Sequence, residues 1–449
     1  MNNLTDRFLD RIFRLTQISI PDSVYEKAKE RVIDYLGVTL AGSRVLKERG
    51  NRLLDFFANK NCEAKVIGFN RKVSVQNAAF VNGICSHILE LDDGEREGMI
   101  HLGAPILSAL LPLAEREKVA PRRLLLAVIV AYEASAILAS AIQPSHKELG
   151  YHATGTCGCI GAAVGAAVVL DFSKEELKNA ISAAVAGTSG ILEVMEDDSE
   201  LKPFNVAKAS LGSLVAVGMA RAGFRGPDDI FGGKRGFLAT MARNPKLDQV
   251  ATDSFESFRI EKIYTKLYAA CRHSHPAIDA ALKIRSVHRI RSNGIKEVKV
   301  YTYKWAVNGH EHTVVKGLSS AKMSIPFSVA LAVEYGNAGI SEFCSESIQD
   351  PGIVSLASKV SVIADDNLTS LVPEKRAAIV QVAMYDGRVY TERVDYPKGE
   401  PENPLSKQEM EEKFVALAIY GGKSKTEAEL IQQYVWKIED SLCKLFALL

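Results

Sequence analysis

Apolar residues recur at helical spacing over most of the chain up to about residue 260. A clear example follows a Pro-Asp pair near the start, where Val24, Ala28, Val32 and Leu36 would share one helix face. The Pro-Asp pair predicts where this helix begins, and Gly42 predicts where it ends. The first half of the chain is therefore predicted to be helical.

The pattern changes to alternation after about residue 260. Residues 295–303 alternate between apolar and polar side chains, as a half-buried strand does, and residues 378–385 do the same. Asp386-Gly387 follows the second run and is a preferred two-residue turn between strands. It predicts a hairpin with the alternating run after it. Past a Pro- and Gly-rich passage (397–404), the helical pattern returns.

Local signals support these helices. Ser173 with Glu176, and Ser406 with Glu409, have the spacing of a capping box, which predicts a helix start at each serine. Glycines are frequent in the apolar helical run 155–170. Each costs about 1 kcal/mol relative to alanine inside a helix, so we expect close packing of helix backbones in return.

The whole pattern predicts a mainly α fold. A large all-helical domain would be built from both ends of the chain, residues 1–263 and 397–449. Residues 264–396 would form a smaller inserted α+β domain that serves as a lid. A cleft between two such domains is a natural ligand site.

Composition excludes some classes of partner. The 449 residues carry 55 Lys+Arg against 54 Asp+Glu, a net charge of +1, which offers no basic surface for nucleic acid or an anionic membrane. The apolar run 124–142 contains Glu133, so we interpret it as a core helix rather than a membrane span. The N-terminus lacks a secretory signal, and seven scattered cysteines suit reduced thiols in the cytoplasm. Their spacing gives no structural zinc or iron–sulfur ligand set.

Two clusters in the helical part contain candidate catalytic residues. In the first, Glu90 and Asp93 lie near the end of a predicted helix and His101 follows. Acidic residues there oppose the helix dipole, so they need a cation, a ligand or solvent, and a solvated turn is the alternative. In the second, His152 lies at the entrance to the glycine-rich helix, whose N-terminus suits a carboxylate. A core histidine beside a threonine cap is the alternative.

Two further clusters contain candidate cations. Lys202 precedes Pro203 and is predicted to be extended just before a helix start, where it could pair with a substrate carboxylate. The alternative is a solvated lysine. The other cluster lies where the helical pattern gives way to alternation and could clamp an anion, with ordinary surface histidines as the alternative. Its members are Lys266, Cys271, Arg272, His273 and His275.

In order along the chain, these clusters resemble the MmgE/PrpD family, which includes 2-methylcitrate dehydratase, cis-aconitate decarboxylase and iminodisuccinate epimerase. The similarity covers nearly the whole chain and rests on the segments 31–42 ("DxLGxxLAG"), 90–93 ("ELDD"), His101, 150–152 ("GxH"), 202–203, 224–227 ("GFxGP"), 266–275 ("KxYxxCxxxH") and 398–406 ("rGdPxNPLS").

The resemblance implies a helical domain with a smaller lid, a homodimer, and an active site between the domains without metal or organic cofactor. By position, it places Asp93, His101, His152, Lys202, Lys266 and His275 where site residues of the family lie. With side-chain chemistry added, we predict that the catalytic residues are His101, His152, Asp93, Lys202 and Cys271, and that the substrate-binding residues are Glu90, Lys266, Arg272, His273 and His275. Within these roles, side-chain chemistry favours His101 as the base, oriented by Asp93 or Glu90, and His152 as the acid.

Some positions depart from the decarboxylase-like pattern. Cys271 stands where those members have histidine, Gly94 where they have threonine, and Asn205 where many relatives have histidine. The expected function is a lyase similar to 2-methylcitrate dehydratase, acting on a small di- or tricarboxylate and eliminating water. An epimerase of a small dicarboxylate is the alternative, and a decarboxylase or a catalytically silent binding protein ranks below both.

Overall fold

The computed structural model describes residues 3–57, 61–251 and 257–449. Helices dominate its first part: α1 (Leu4–Leu15), α2 (Asp22–Val45), α3 (Lys47–Phe56), α4 (Val75–His87), α5 (Gly103–Glu117), α6 (Pro121–Ile142), α7 (Ser145–Glu148), α8 (Ala153–Val169), α9 (Lys174–Gly187), α10 (Lys202–Arg221), α11 (Phe237–Met241) and α12 (Leu247–Ala251). Four short strands accompany them: β1 (Ala64–Val66), β2 (Arg71–Val73), β3 (Gly94–Glu95) and β4 (Ile263–Tyr264).

The second part mixes helices with a sheet. Its elements are α13 (His275–His288), β5 (Ile295–Thr302), α14 (Lys304–Val307), α15 (Leu318–Met323), α16 (Ile325–Tyr335), α17 (Ser345–Gln349), α18 (Pro351–Ala357), β6 (Val360–Ala364), α19 (Asp366–Ser370), β7 (Ala378–Met384), β8 (Val389–Val394), α20 (Lys407–Tyr420), α21 (Lys425–Trp436) and α22 (Ile438–Leu448). The predicted mainly α fold class is confirmed.

The four-stranded sheet has the order β6-β5-β7-β8. β5 pairs in parallel with β6 and antiparallel with β7, and β7 pairs antiparallel with β8. The β7–β8 hairpin predicted from Asp386-Gly387 is confirmed, with Gly387 at a φ of 88°, which glycine adopts easily. The capping boxes at Ser173 and Ser406 are also confirmed.

Two hydrophobic cores divide the molecule. One is formed by the helices before residue 263 together with α20, α21 and α22, and the other lies around the sheet, α13 and α16. α20 packs on α2 and α22 packs on α6, so the end of the chain returns to the helical part. The domain boundaries at residues 263 and 397 stay predictions.

α8 lies at the centre of the helical part, between α6 and α10. A Cβ on Gly161 would come within 1.7 Å of the Ser135 hydroxyl of α6, which explains why this helix contains glycine. α6 is the one helix of the described residues that is long and apolar enough to span a bilayer, but 94% of its most apolar window is buried inside the protein. It is a core helix.

Two local predictions are wrong. α2 does not end at Gly42 but continues to Val45. Glycine is required at this position because a Cβ would lie 2.0 Å from the carbonyl oxygen of Cys85 on α4. Lys202 is not extended before a helix but is the first residue of α10. Pro203 fits there because the first turn of a helix needs no N–H donor.

The segments that carry the candidate residues meet through short backbone contacts between the two parts. β3 pairs with β4, so Gly94 lies opposite Tyr264. Immediately afterwards, the Thr265 amide donates to the Gly399 carbonyl at 2.8 Å. A Cβ on Gly399 would lie 1.9 Å from the Thr265 oxygen, so this approach requires glycine. The acidic segment, the Lys266 segment and the loop before α20 therefore converge.

Candidate active site

A cavity of about 90 Å³ lies where these segments converge. Six of the sequence-predicted residues line it: His101, His152, Lys202, Cys271, Arg272 and His273. Larger cavities, of about 640 and 540 Å³, lie elsewhere, but none of the described residues that line them is a histidine. The small cavity therefore has the acid–base groups that a reaction needs.

His101 is held immediately before α5. Its Nδ1–H donates to the Asp93 carbonyl oxygen at 2.7 Å, and its amide donates to the Thr154 hydroxyl at 3.1 Å. Burial lowers the pKa of His101 well below its ordinary value, although the carboxylate of Asp92 acts in the opposite direction. The neutral ring therefore carries its lone pair on Nε2, as a general base requires.

His152 is the N-cap residue of α8, and its side chain is held by α10. The Asn205 amide donates to His152 Nδ1 at 3.3 Å, so the neutral ring carries its proton on Nε2. Burial and the charge of Lys202 lower the pKa of His152 well below its ordinary value. His152 is thus a neutral hydrogen-bond donor. Neither neighbouring threonine caps α8 with its side chain, so the threonine cap of the alternative interpretation is wrong.

Glu90 binds two lysines instead of facing the cavity. Its carboxylate forms an ion pair with Lys202 and lies 3.5 Å from Lys266 Nζ, which also donates to the Glu90 carbonyl at 2.9 Å. Burial would raise the pKa of Glu90, but these two lysines hold it well below its ordinary value. Glu90 and the fully buried Lys266 do not line the cavity and act on it through Lys202.

Of the two residues predicted to orient His101, Asp93 does so, but through its backbone carbonyl oxygen and not through its carboxylate. The Asp93 carboxylate accepts from the Gly103 amide at 2.8 Å and from the Tyr132 hydroxyl at 2.6 Å, and burial raises its pKa to about 6. The Asp93 carbonyl oxygen accepts the hydrogen bond that orients the His101 ring. Asp92 is the nearby carboxylate, 3.4 Å from His101 Nδ1.

Arg272 and His275 hold the cavity wall in place. Arg272 donates to Glu400 at 2.6 and 3.1 Å and to His275 Nδ1 at 2.8 Å. The other ring nitrogen of His275 donates to the Ala270 carbonyl at 3.3 Å. Arg272 reaches the cavity lining, whereas His275 is buried behind it, so the arrangement does not support a substrate contact by His275.

Three basic side chains of the cavity lining were missing from the sequence prediction: Lys147, His310 and Arg376. Lys147 Nζ lies 3.4 Å from Nε2 of His273, whose Nδ1 hydrogen-bonds the Tyr303 hydroxyl at 2.5 Å. Lys147 lies in the short helix α7, and Arg376 lies two residues before β7 begins at Ala378. No motif surrounds them. A polar residue next to an apolar element is the only signal that could have identified them.

Among the residues that the structure describes, two groups of side chains have the chemistry of metal ligands. They are Cys271, His273 and His310, and His87, Asp92 and His101, with the ligand atoms of each group within 4.8 Å of one another. The donor sets would suit a divalent metal. Nearby lysines would repel such a cation: burial is the main cause that lowers the pKa of the imidazoles of His87, His101 and His273, and lysines lower it further. We assign no step to a metal.

Comparison with known proteins assigns the family. The MmgE/PrpD N-terminal domain matches residues 7–250, and the MmgE/PrpD C-terminal domain matches residues 268–438. The chain belongs to the MmgE/PrpD family. Among its relatives, the cis-aconitate decarboxylase-like protein oryM of Aspergillus oryzae is 25% identical, over 99% of this chain and 94% of its own length. Human cis-aconitate decarboxylase is also 25% identical, over 93% of this chain and 88% of its own length.

In this MmgE/PrpD protein, Asn205 offers a test of the His152 tautomer. We expect Asn205→Leu to lower kcat about 10- to 100-fold with little change in KM, because partners that orient a functional histidine typically matter by that factor. Steady-state kinetics would measure this, and nitrogen NMR of the imidazole would show whether the proton leaves Nε2. Unchanged kcat together with an unchanged tautomer would contradict the assigned role of Asn205.

Proposed function

We propose that this protein is a lyase that removes a proton next to a carboxylate of a small hydroxy-polycarboxylate and eliminates water. The observation that carries the proposal is the tautomer of His101. Its Nδ1 is committed to the Asp93 carbonyl, so the lone pair on Nε2 is available in a cavity that Lys147, Lys202 and Arg376 also line. A neutral base beside fixed cations is suited to forming a carbanion next to a carboxylate.

The cations support a substrate with at least two carboxylates. Arg376 donates to the Arg96 carbonyl at 2.6 Å, and Lys147 contacts a histidine ring, so both have neutral partners. Lys202 differs from these two cations because its partner, Glu90, is negatively charged and offsets its charge. Two cations whose described hydrogen-bond partners are uncharged can each bind one carboxylate.

Each residue of the candidate site would have its own role in the reaction. His101 Nε2 takes the proton from the carbon, and Lys147, Arg376 and Lys202 offset the charge that develops on the adjacent carboxylate. Fixed charges of this kind usually contribute more to catalysis than any other single effect. The Nε2–H of His152 donates a hydrogen bond to the developing anion or to the leaving hydroxyl. The double bond then forms as the carbon–oxygen bond breaks.

The relatives support lyase chemistry in general rather than one reaction. The proteins named above are described as a cis-aconitate decarboxylase and a decarboxylase-like protein, at 25% identity. Cys271 departs from the histidine of decarboxylase-like members, which favours elimination of water over loss of carbon dioxide.

An epimerase of a small dicarboxylate is the second candidate. It is favoured by Cys271, which lines the same cavity as His101 but comes from the other part of the molecule. Burial alone would raise the pKa of the Cys271 thiol, but His310, Lys202 and Lys266 lower it to about 6. A second group that exchanges protons near neutral pH is what inversion of a carbon centre needs.

A substrate panel in deuterated water tests the proposal. Citrate, 2-methylcitrate, cis-aconitate and iminodisuccinate would be incubated with the enzyme, with and without EDTA, and followed by proton NMR and ultraviolet absorbance. We expect exchange at the carbon next to a carboxylate and a conjugated acid from a hydroxy acid. Arg376→Met should raise KM about 10-fold or more, because a charged hydrogen bond is lost, whereas Lys296→Met on the exposed side of β5 should not.

Other outcomes of the panel would overturn the proposal. Carbon dioxide released from cis-aconitate would make the protein a decarboxylase. Interconversion of iminodisuccinate stereoisomers without water loss would favour the epimerase. Activity that EDTA abolishes and a divalent ion restores would place a metal in the mechanism.

A further inference from the structure

Elimination of water needs a proton donor that His101 and His152 do not supply. Both rings are neutral, because burial lowers the pKa of each well below its ordinary value. His101 accepts a proton, and His152 can donate a hydrogen bond but holds no easily lost proton. The leaving hydroxyl still has to be protonated before it departs as water. Another group in the cavity must hold that proton.

Cys271 and His310 form a pair in the cavity wall. His310 is 6% exposed, and its Nδ1–H donates to the Met323 carbonyl at 2.8 Å. This bond turns His310 Nε2 towards Cys271 Sγ, which lies 4.0 Å away. The Cys271 amide donates to the Lys322 carbonyl at 2.8 Å, so both members of the pair are anchored to carbonyl groups of α15.

The surroundings favour one shared proton on this pair. The titratable and charged groups that face Cys271 are His310, His273, Lys147, Lys202, Lys266 and Tyr303. Burial lowers the pKa of His310, but the Cys271 thiolate and the Met323 carbonyl outweigh it and raise the value. The lowered pKa of Cys271 and the raised pKa of His310 therefore favour a proton that the pair holds between Sγ and Nε2.

Cys271 differs in this respect from the thiols of the helical core. Burial raises the pKa of Cys85, Cys157 and Cys159 to about 12. These three lie inside apolar helices, whereas Cys271 lies beside cations and an imidazole at the cavity. The thiol of Cys271 therefore loses its proton more readily than the thiols of those three cysteines.

We infer that Cys271 and His310 act together as the general acid, with His310 holding the transferable proton against Cys271 at the cavity wall. The catalytic step rests on the function proposed above. In that step the carbon–hydrogen bond breaks and its proton goes to His101 Nε2. The carbon–oxygen bond breaks with its electron pair on the hydroxyl, which takes the proton of the pair and leaves as water. The pair is left as thiolate and neutral imidazole, and a proton returning from His101 through solvent restores it.

Alkylation of Cys271 tests the pair without requiring turnover. The rate of iodoacetamide labelling would be measured against pH, with mass spectrometry of the Cys271 peptide and exposed Cys62 and Cys443 as internal references. We expect the wild-type rate to rise with pH around 6. His310→Asn keeps an N–H for the Met323 carbonyl and should move the rise upward by about one pH unit or more. His312→Asn, two residues away, should leave it unchanged.

Two separate measurements, product formation and exchange of the substrate proton, test the role of the Cys271–His310 pair as the acid. With a substrate from the panel, we expect His310→Asn and Cys271→Ser to lower product formation about 100-fold. Both variants should keep the exchange of the substrate proton with deuterated water, because that step belongs to His101. An unshifted labelling profile in His310→Asn would overturn the pair even if the enzyme is active. A shifted profile with undiminished product formation would overturn the acid role.

Discussion

His101→Asn should abolish turnover and the exchange of the substrate proton with deuterated water. The asparagine amide can still donate to the Asp93 carbonyl, as His101 Nδ1 does at 2.7 Å. The variant therefore preserves the anchoring contact and removes only the group that accepts the proton. General bases typically contribute about 10²- to 10⁴-fold to a rate, so we expect kcat/KM to fall by that factor. Proton NMR in deuterated water would follow the exchange.

The pH dependence of activity gives a second test of His101 as the base. Because burial keeps the pKa of His101 well below its ordinary value, the base is already neutral at pH 7. Activity of the wild type should therefore persist as the pH falls through about 6.5, where an ordinary histidine would become protonated. The matched control is His288→Asn, since this histidine is exposed at the end of α13 and stacks on Tyr390. Full exchange in His101→Asn would remove His101 from the mechanism.

Local sequence patterns predicted helices and strands well where the signal for them spans only a few residues. A capping box spans three residues, and the Asp386-Gly387 turn joins neighbouring strands, so both could be predicted. Gly42 was misjudged because its reason lies on another helix, at the Cys85 carbonyl. A glycine that permits close packing and a glycine that ends a helix look alike in sequence.

The candidate site was predictable as a set of residues but not as an arrangement. Ordered motifs identified His101, His152, Lys202 and Cys271, all of which line the cavity. The direction of each ring depends on partners far along the chain, such as Asn205, which is 53 residues from His152. No local pattern specifies a hydrogen bond of that range.

The dependence on partners far along the chain also explains why the partners of the Asp93 and Glu90 carboxylates were not predicted. Asp93 was expected to face His101, but Tyr132, 39 residues away on α6, binds its carboxylate. The sequence prediction missed Lys147, His310 and Arg376 because none has a motif around it. Lys147 lies in the short helix α7, and the other two lie in connections beside an element. Only the convergence of both parts of the molecule makes them neighbours.

Glu90→Gln should cause the largest loss of stability among the candidate-site variants. The carboxylate of Glu90 is buried with Lys202 and Lys266, and the glutamine amide would take from both ammonium groups the carboxylate that they share. Removing one partner from a buried ion pair typically costs about 3 to 5 kcal/mol, so we expect the free energy of unfolding to fall by about 3 kcal/mol or more. Denaturant unfolding at pH 7 would measure it. Lys202 would also lose its anchor, so KM should rise as well.

The pH dependence distinguishes lost charge from lost packing. The lysines hold the pKa of Glu90 well below its ordinary value, so ionised Glu90 stabilises the fold above the pKa of the unfolded chain, about 4.3. This contribution disappears as the pH falls through the lower folded-state pKa. The stability gap between the wild type and Glu90→Gln should therefore be full at pH 7 and shrink below about pH 4. Glu48→Gln is the matched control, since Glu48 pairs with Arg52 on the surface with 81% of its side chain exposed. A gap that is the same at both pH values would mean that the shape of the side chain, rather than its charge, holds this junction together.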